Sequence, residues 1–149
     1  MGSKRIGLAR IEALIENLKR DLTLGGTQIS GDKMLVVAKD DSFAISMPAD
    51  TGKLFTTTGA TGAVTATLPA PATTLKGTYC RVFNTVDQNL VIAVTGNDTL
   101  ITLNDVAADT VTFSTSSEKI GAAVLCVCDG TKWLVMDASE NSITSTIGT

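Results

Sequence analysis

The apolar positions of this 149-residue chain follow two different periods. Near the N-terminus Leu8, Ile11, Ile15, Leu18 and Leu22 recur at intervals of 3, 4, 3 and 4. That spacing places Leu8, Ile15 and Leu22 at heptad position a and Ile11 and Leu18 at d, with Leu14 at g widening the stripe. It predicts an amphipathic helix over Lys4–Leu24, closed by Gly25-Gly26. Glu12 and Glu16 fall on its polar side, with Arg20 four residues after Glu16 as a supporting pair. A helix this short is marginal alone, since about 12–15 residues are needed even for good helix formers. Its stripe must therefore be buried, either on the chain's own body or on sister chains. Self-association is the expectation drawn here, and the width of the stripe leans towards three or more copies.

Beyond residue 25 the period drops to two. Short runs alternate apolar and polar residues between Gly, Asn, Asp and Pro, which predicts strands. Ten are expected: Met34–Ala38, Ser42–Met47, Leu54–Thr58, Ala63–Leu68, Tyr79–Asn84, Asn89–Val94, Thr99–Leu103, Thr110–Ser114, Ile120–Cys128 and Thr131–Met136. Pro69-Ala70-Pro71 denies ladder donors and ends the fourth. The expected fold is mainly β, an antiparallel sandwich or jelly-roll-like domain of about ten short strands preceded by one helix. Three segments result: a helix at 1–25 for oligomerisation or docking, a sandwich at 26–138 and a polar tail at 139–149.

The last hairpin is the clearest local unit. Asp129-Gly130 between two apolar runs suggests a type I′ turn, pairing Cys128 with Thr131, Cys126 with Trp133 and Val124 with Val135. One face then carries Val124, Cys126, Cys128, Trp133 and Val135. The other carries Leu125, Val127, Lys132, Leu134 and Met136, so it too is mainly apolar. A pair apolar on both sides fits the middle of a layered domain, or one face on the core and one on a neighbouring chain. The second arrangement is preferred, which makes Leu125, Val127, Leu134 and Met136 candidate interface residues beside the helix stripe of Leu8, Ile11, Leu14, Ile15, Leu18 and Leu22.

Composition narrows the chemistry. Thr is the commonest residue, and its branched Cβ favours strands. The first 24 residues hold five basic against three acidic side chains, net +2, and the remainder seven against twelve, net −5. An acidic body without a basic patch is not a nucleic-acid binder. No secretory leader or membrane span is expected, and three cysteines make no closed disulfide framework. Having no histidine, the chain lacks Ser-His-Asp and Cys-His machinery and histidine zinc sites. Cys126-x-Cys128 with Cys80 is expected to be buried small hydrophobes. Asp98, Asp105 and Asp109 lack EF-hand spacing and are expected in turns. Aromatic residues make up 4% of the chain, too few for the platforms that sugar-cleaving sites use. No enzyme, metal or cofactor is expected.

Residues Gly52–Asp137 resemble a module that recurs in virion proteins of tailed bacteriophages. The likeness is carried by Gly62-Ala63-Val64-Thr65-Ala66-Thr67-Leu68-Pro69, then Tyr79-Cys80-Arg81-Val82-Phe83, Gln88-Asn89-Leu90-Val91-Ile92, Gly96-Asn97-Asp98-Thr99-Leu100-Ile101 and Lys132-Trp133-Leu134-Val135-Met136. It covers a little over half of the chain. The resemblance implies a structural protein of the virion, made in the host cytoplasm, with itself and the major capsid protein or other virion proteins as partners. No shaft repeat is visible, so a capsid decoration (cement) protein, trimeric, is the expectation. The alternative is a head-fibre, knob or tail-fibre protein engaged in host attachment.

Overall fold

The computed structural model describes residues 7–16, 33–115, 119–139 and 143–149. The chain divides into two compact units, Met1–Lys33 and Met34–Thr149. In the first, residues 7–16 are helical, which is the middle of the expected helix. Leu8, Ile11, Leu14 and Ile15 are all exposed on it. Leu18 and Leu22, with the expected Gly25-Gly26 stop, lie outside the described residues.

The second unit is a β-sandwich. Among the described residues it has twelve strands: β1 (Val36–Ala38), β2 (Phe43–Ala44), β3 (Leu54–Thr56), β4 (Val64–Leu68), β5 (Tyr79–Phe83), β6 (Leu90–Val94), β7 (Leu100–Thr102), β8 (Asp105–Ala108), β9 (Thr110–Phe113), β10 (Ala123–Cys128), β11 (Trp133–Asp137) and β12 (Ser145–Gly148). One sheet has seven strands in the order β1-β3-β5-β10-β11-β7-β8, and the other five in the order β12-β9-β6-β4-β2. All ten expected strands are present, most trimmed by a residue or more at their ends. Asp105–Ala108 and Ser145–Gly148 are strands that the sequence pattern did not announce. The latter runs inside the expected tail and pairs with β9, from Ser145 opposite Phe113 to Gly148 opposite Thr110.

The sheets are mixed rather than wholly antiparallel. From β1 to β6 the chain changes sheet at every step. Each strand therefore returns beside its predecessor in the same direction, with β1, β3 and β5 parallel in one sheet and β2, β4 and β6 parallel in the other. Parallel neighbours need a long crossover. Here each crossover is a strand of the opposite sheet, so the first half of the body winds as three flattened coils. The Asp40-Asp41 turn joins two sheets instead of two paired strands. The second half adds antiparallel pairs, with β10 between β5 and β11 and β9 between β6 and β12.

Period-two alternation decides what lies between the layers. Phe55, Cys80, Val82, Leu100, Val124, Cys126, Cys128, Trp133 and Val135 point inward from the larger sheet, against Ala66, Leu68, Leu90, Ile92, Val111 and Phe113 from the smaller. Trp133 is fully buried, and its indole N–H donates to the Pro69 carbonyl at 2.8 Å. The tripeptide that ends β4 thus supplies the acceptor that a buried tryptophan requires.

A polar knot ties three connections together at one end of the sandwich. Asn84, fully buried after β5, accepts from the Thr57 hydroxyl at 2.5 Å. Its amide donates to the carbonyls of Gln88 and Lys119, each at 2.9 Å. The Thr57 hydroxyl also accepts from the Thr85 N–H at 3.0 Å. Every hydrogen-bonding group of the Asn84 amide side chain is engaged, as burial of a polar group demands.

Candidate interface on the outer face of the larger sheet

The final hairpin forms, in a register two residues away from the type I′ expectation. Cys128 faces Trp133, Cys126 faces Val135 and Val124 faces Asp137. Of the Asp129-Gly130 pair only Gly130 takes a positive φ, 102°, so a turn needing two such residues is not made. The Asp129 carboxylate instead accepts from the N–H groups of Thr131 and Lys132, both at 2.7 Å, and from the Thr131 hydroxyl at 2.9 Å. This Asx-type cap holds a four-residue connection. Those bonds from Lys132 and Thr131 keep the Asp129 carboxyl below its ordinary pKa. A slip of two leaves side-chain parity unchanged, so the two faces are those the sequence predicts. Val124, Cys126, Cys128, Trp133 and Val135 enter the core. Leu125, Val127 and Leu134 are half-buried and Met136 is exposed.

Those four outward residues belong to a larger surface. The register of the sheet aligns Val36, Leu54, Arg81, Leu125 and Met136 as one row across β1, β3, β5, β10 and β11. A second row runs Tyr79, Val127, Leu134 and Ile101 across β5, β10, β11 and β7. Phe83 stands opposite Ala123 beyond the first row. Tyr79 and Phe83 are exposed on either side of Arg81, while Cys80 and Val82 between them are buried. Gly52, at φ 81°, leaves the room that the Tyr79 hydroxyl fills, 3.6 Å from where a Cβ would stand. The face is therefore apolar and aromatic, with the single cation of Arg81 set into it. The Arg81 guanidinium lies 3.6 Å from the Met34 sulfur and has no carboxylate partner within the described unit.

The outer face of the smaller sheet is different. Its cross-strand rows are Thr65, Val91, Thr112 and Thr146, then Thr67, Ala93, Thr110 and Gly148. Hydroxyls alternating with methyl groups make a surface that water covers without penalty, so the two faces of the sandwich are not equivalent as contact surfaces.

The remaining candidate chemistry resolves into structure. Cys80 and Cys126 are direct cross-strand partners, and both are buried with Cys128. A hydrogen bond with the Cys80 thiol and burial push the Cys126 thiol well above its ordinary value of 9.0, which suppresses the reactive thiolate. Among the described residues no group of three or more His, Cys, Asp or Glu is placed to hold a metal ion. Asp109 accepts from the Asp98 N–H at 2.6 Å and Asp105 from the Ala107 N–H at 2.8 Å, so these carboxylates cap turns. A shallow polar recess of about 390 Å³ is lined by Asp40, Asp41, Thr61, Gly62 and Ala63, with no cation or hydrophobic wall to orient a ligand. No helix among the described residues is long and apolar enough to cross a membrane.

Sequence reasoning found the β10–β11 part of the surface and missed its extension over β1, β3, β5 and β7. The available signal was Tyr79-Cys80-Arg81-Val82-Phe83, apolar at both parities except for Arg81. The chain matches no protein-family model and no curated protein sequence.

Proposed function

We propose that this protein is a structural component of a tailed-phage virion: a capsid decoration protein that self-associates and binds the assembled shell. The observation that carries the reading is the outer face of the seven-stranded sheet, a broad apolar and aromatic surface on a body with no histidine and with its cysteines buried. Surfaces of that kind on a soluble domain mark contact sites rather than reaction sites. The module-like succession of strands from Gly52 to Asp137 supports the choice of virion, and the exposed Leu8, Ile11, Leu14 and Ile15 give a second apolar surface on the helix.

The mechanism follows from mass action. A protein that binds the closed shell and not its dissociated parts stabilises the shell by its binding free energy, summed over many copies. No catalytic residue, cofactor or metal takes part. The test adds the purified full chain to expanded capsids lacking it. Co-sedimentation with shells and a raised temperature of shell disruption are expected. Failure to bind, with unchanged heat resistance, would refute the decoration reading, and binding to host cells instead would favour a head-fibre, knob or tail-fibre role.

A further inference from the structure

We infer that the outer face of the seven-stranded sheet receives a second copy of this chain, met head-to-tail, with Arg81 as the cation that selects a carboxylate on that copy. The inference rests on the self-association in the proposed function and is independent of the capsid.

Size is the first argument. Seven strands at about 4.8 Å and five residues at about 3.3 Å give a flat footprint of roughly 29 by 17 Å. With side-chain relief this is of the order of the ~800 Å² per partner that a stable interface buries. The row Val36, Leu54, Leu125, Met136 and the row Tyr79, Val127, Leu134, Ile101 cover it without a break other than Arg81.

Charge decides how the second copy sits. The outward positions of β1, β3, β5, β7, β10 and β11 carry no Asp or Glu. Two copies stacked with these faces together would bury two guanidinium groups with no acid to receive them, and a buried unpaired charge is strongly unfavourable. The face must therefore meet a different surface of the next copy. The chain after residue 24 carries twelve acidic against seven basic residues, so carboxylates abound on that body. A contact between two unlike surfaces of identical chains is heterologous, and it closes into a ring when the rotation permits. Arg81, flanked by Tyr79 and Phe83 and exposed in the isolated chain, is placed to make the bidentate pair that guanidinium favours.

The experiment measures association of the full chain by sedimentation equilibrium, comparing Leu134→Asp, Arg81→Asp and Arg81→Met with the parent, with circular dichroism confirming the fold of each. Leu134→Asp and Arg81→Asp should each weaken association by about tenfold or more, and Arg81→Met by several-fold. Tighter association of Arg81→Met would overturn the carboxylate contact, because it would show a purely apolar partner. An oligomer unaffected by Leu134→Asp and Arg81→Asp would overturn the face as the contact and leave the virion role standing. A parent chain that stays monomeric would overturn the inference itself, while shell binding would still decide the capsid role separately.

Discussion

Replacing Asn84 by Ala should unfasten one end of the sandwich. The change removes the acceptor of the Thr57 hydroxyl and both donors to the Gln88 and Lys119 carbonyls. Backbone bonds at the same position, Asn84 N–H to the Ala122 carbonyl and Gly121 N–H to the Asn84 carbonyl, both 2.8 Å, remain possible. Three side-chain hydrogen bonds at about 1–1.5 kcal/mol each give a loss of roughly 3–4 kcal/mol. The whole stability of a domain is about 5–15 kcal/mol, so the effect is a large fraction of it. Urea unfolding followed by tryptophan fluorescence reads it through Trp133, the single tryptophan. At a slope of about 2 kcal/mol per molar urea the midpoint should fall by roughly 1.5–2 M. Protein concentration must be held fixed, because association shifts apparent stability. Thr57→Val breaks the Asn84 contact and the Thr85 N–H bond and should cost less than Asn84→Ala. A fall below about 0.5 M for Asn84→Ala would refute the argument that the knot holds the three connections.

Other expectations follow from single positions. The Thr102 hydroxyl is buried without a hydrogen-bond partner, so Thr102→Val should raise stability by about 1 kcal/mol in the same urea assay. Leu103 is 60% exposed at φ 47° in the two-residue turn between β7 and β8, where glycine is at ease. Leu103→Gly should therefore gain about 1 kcal/mol in thermal unfolding by removing backbone strain. The Asp50 carboxyl is pushed up by burial, but the Lys53 ammonium at 2.8 Å and the Ser46 N–H at 2.7 Å outweigh this and leave it below its ordinary value of 3.8. Asp129 is depressed in the same sense. Both contributions should be complete above about pH 4 and decline as pH falls through the depressed folded values, which midpoints measured between pH 2 and pH 6 would show.

The strands were legible because period-two alternation and turn residues act locally. Val64–Leu68, with Val64, Ala66 and Leu68 buried and Thr65 and Thr67 turned out, follows its own sequence. Partnership was not legible. Asp40-Asp41 and Gly59–Gly62 read as turns in sequence, and nothing local says that the chain crosses to the other sheet there, which is what makes the neighbours parallel. Asp105–Ala108 was missed because Asn104-Asp105 carries a loop signal and two alanines carry little strand preference. Ser145–Gly148 was missed because its apolar content is one isoleucine, and pairing with β9 supplies the rest. The interface was read at Leu125, Val127, Leu134 and Met136, where a hairpin brings both strands together in sequence. It was lost at Val36, Leu54 and Arg81, which join the row only through parallel pairing over 18 and 27 residues, from 36 to 54 and from 54 to 81.

Assembly is the common premise of the proposed role and of the docking face, and the mass of the intact chain in solution tests it most directly. Native mass spectrometry across micromolar concentrations should show a closed oligomer of the 15.4 kDa chain, a trimer by the reading proposed here, with the helix intact by circular dichroism. A mass of 15.4 kDa at every concentration, with the fold and the helix intact, would contradict the account.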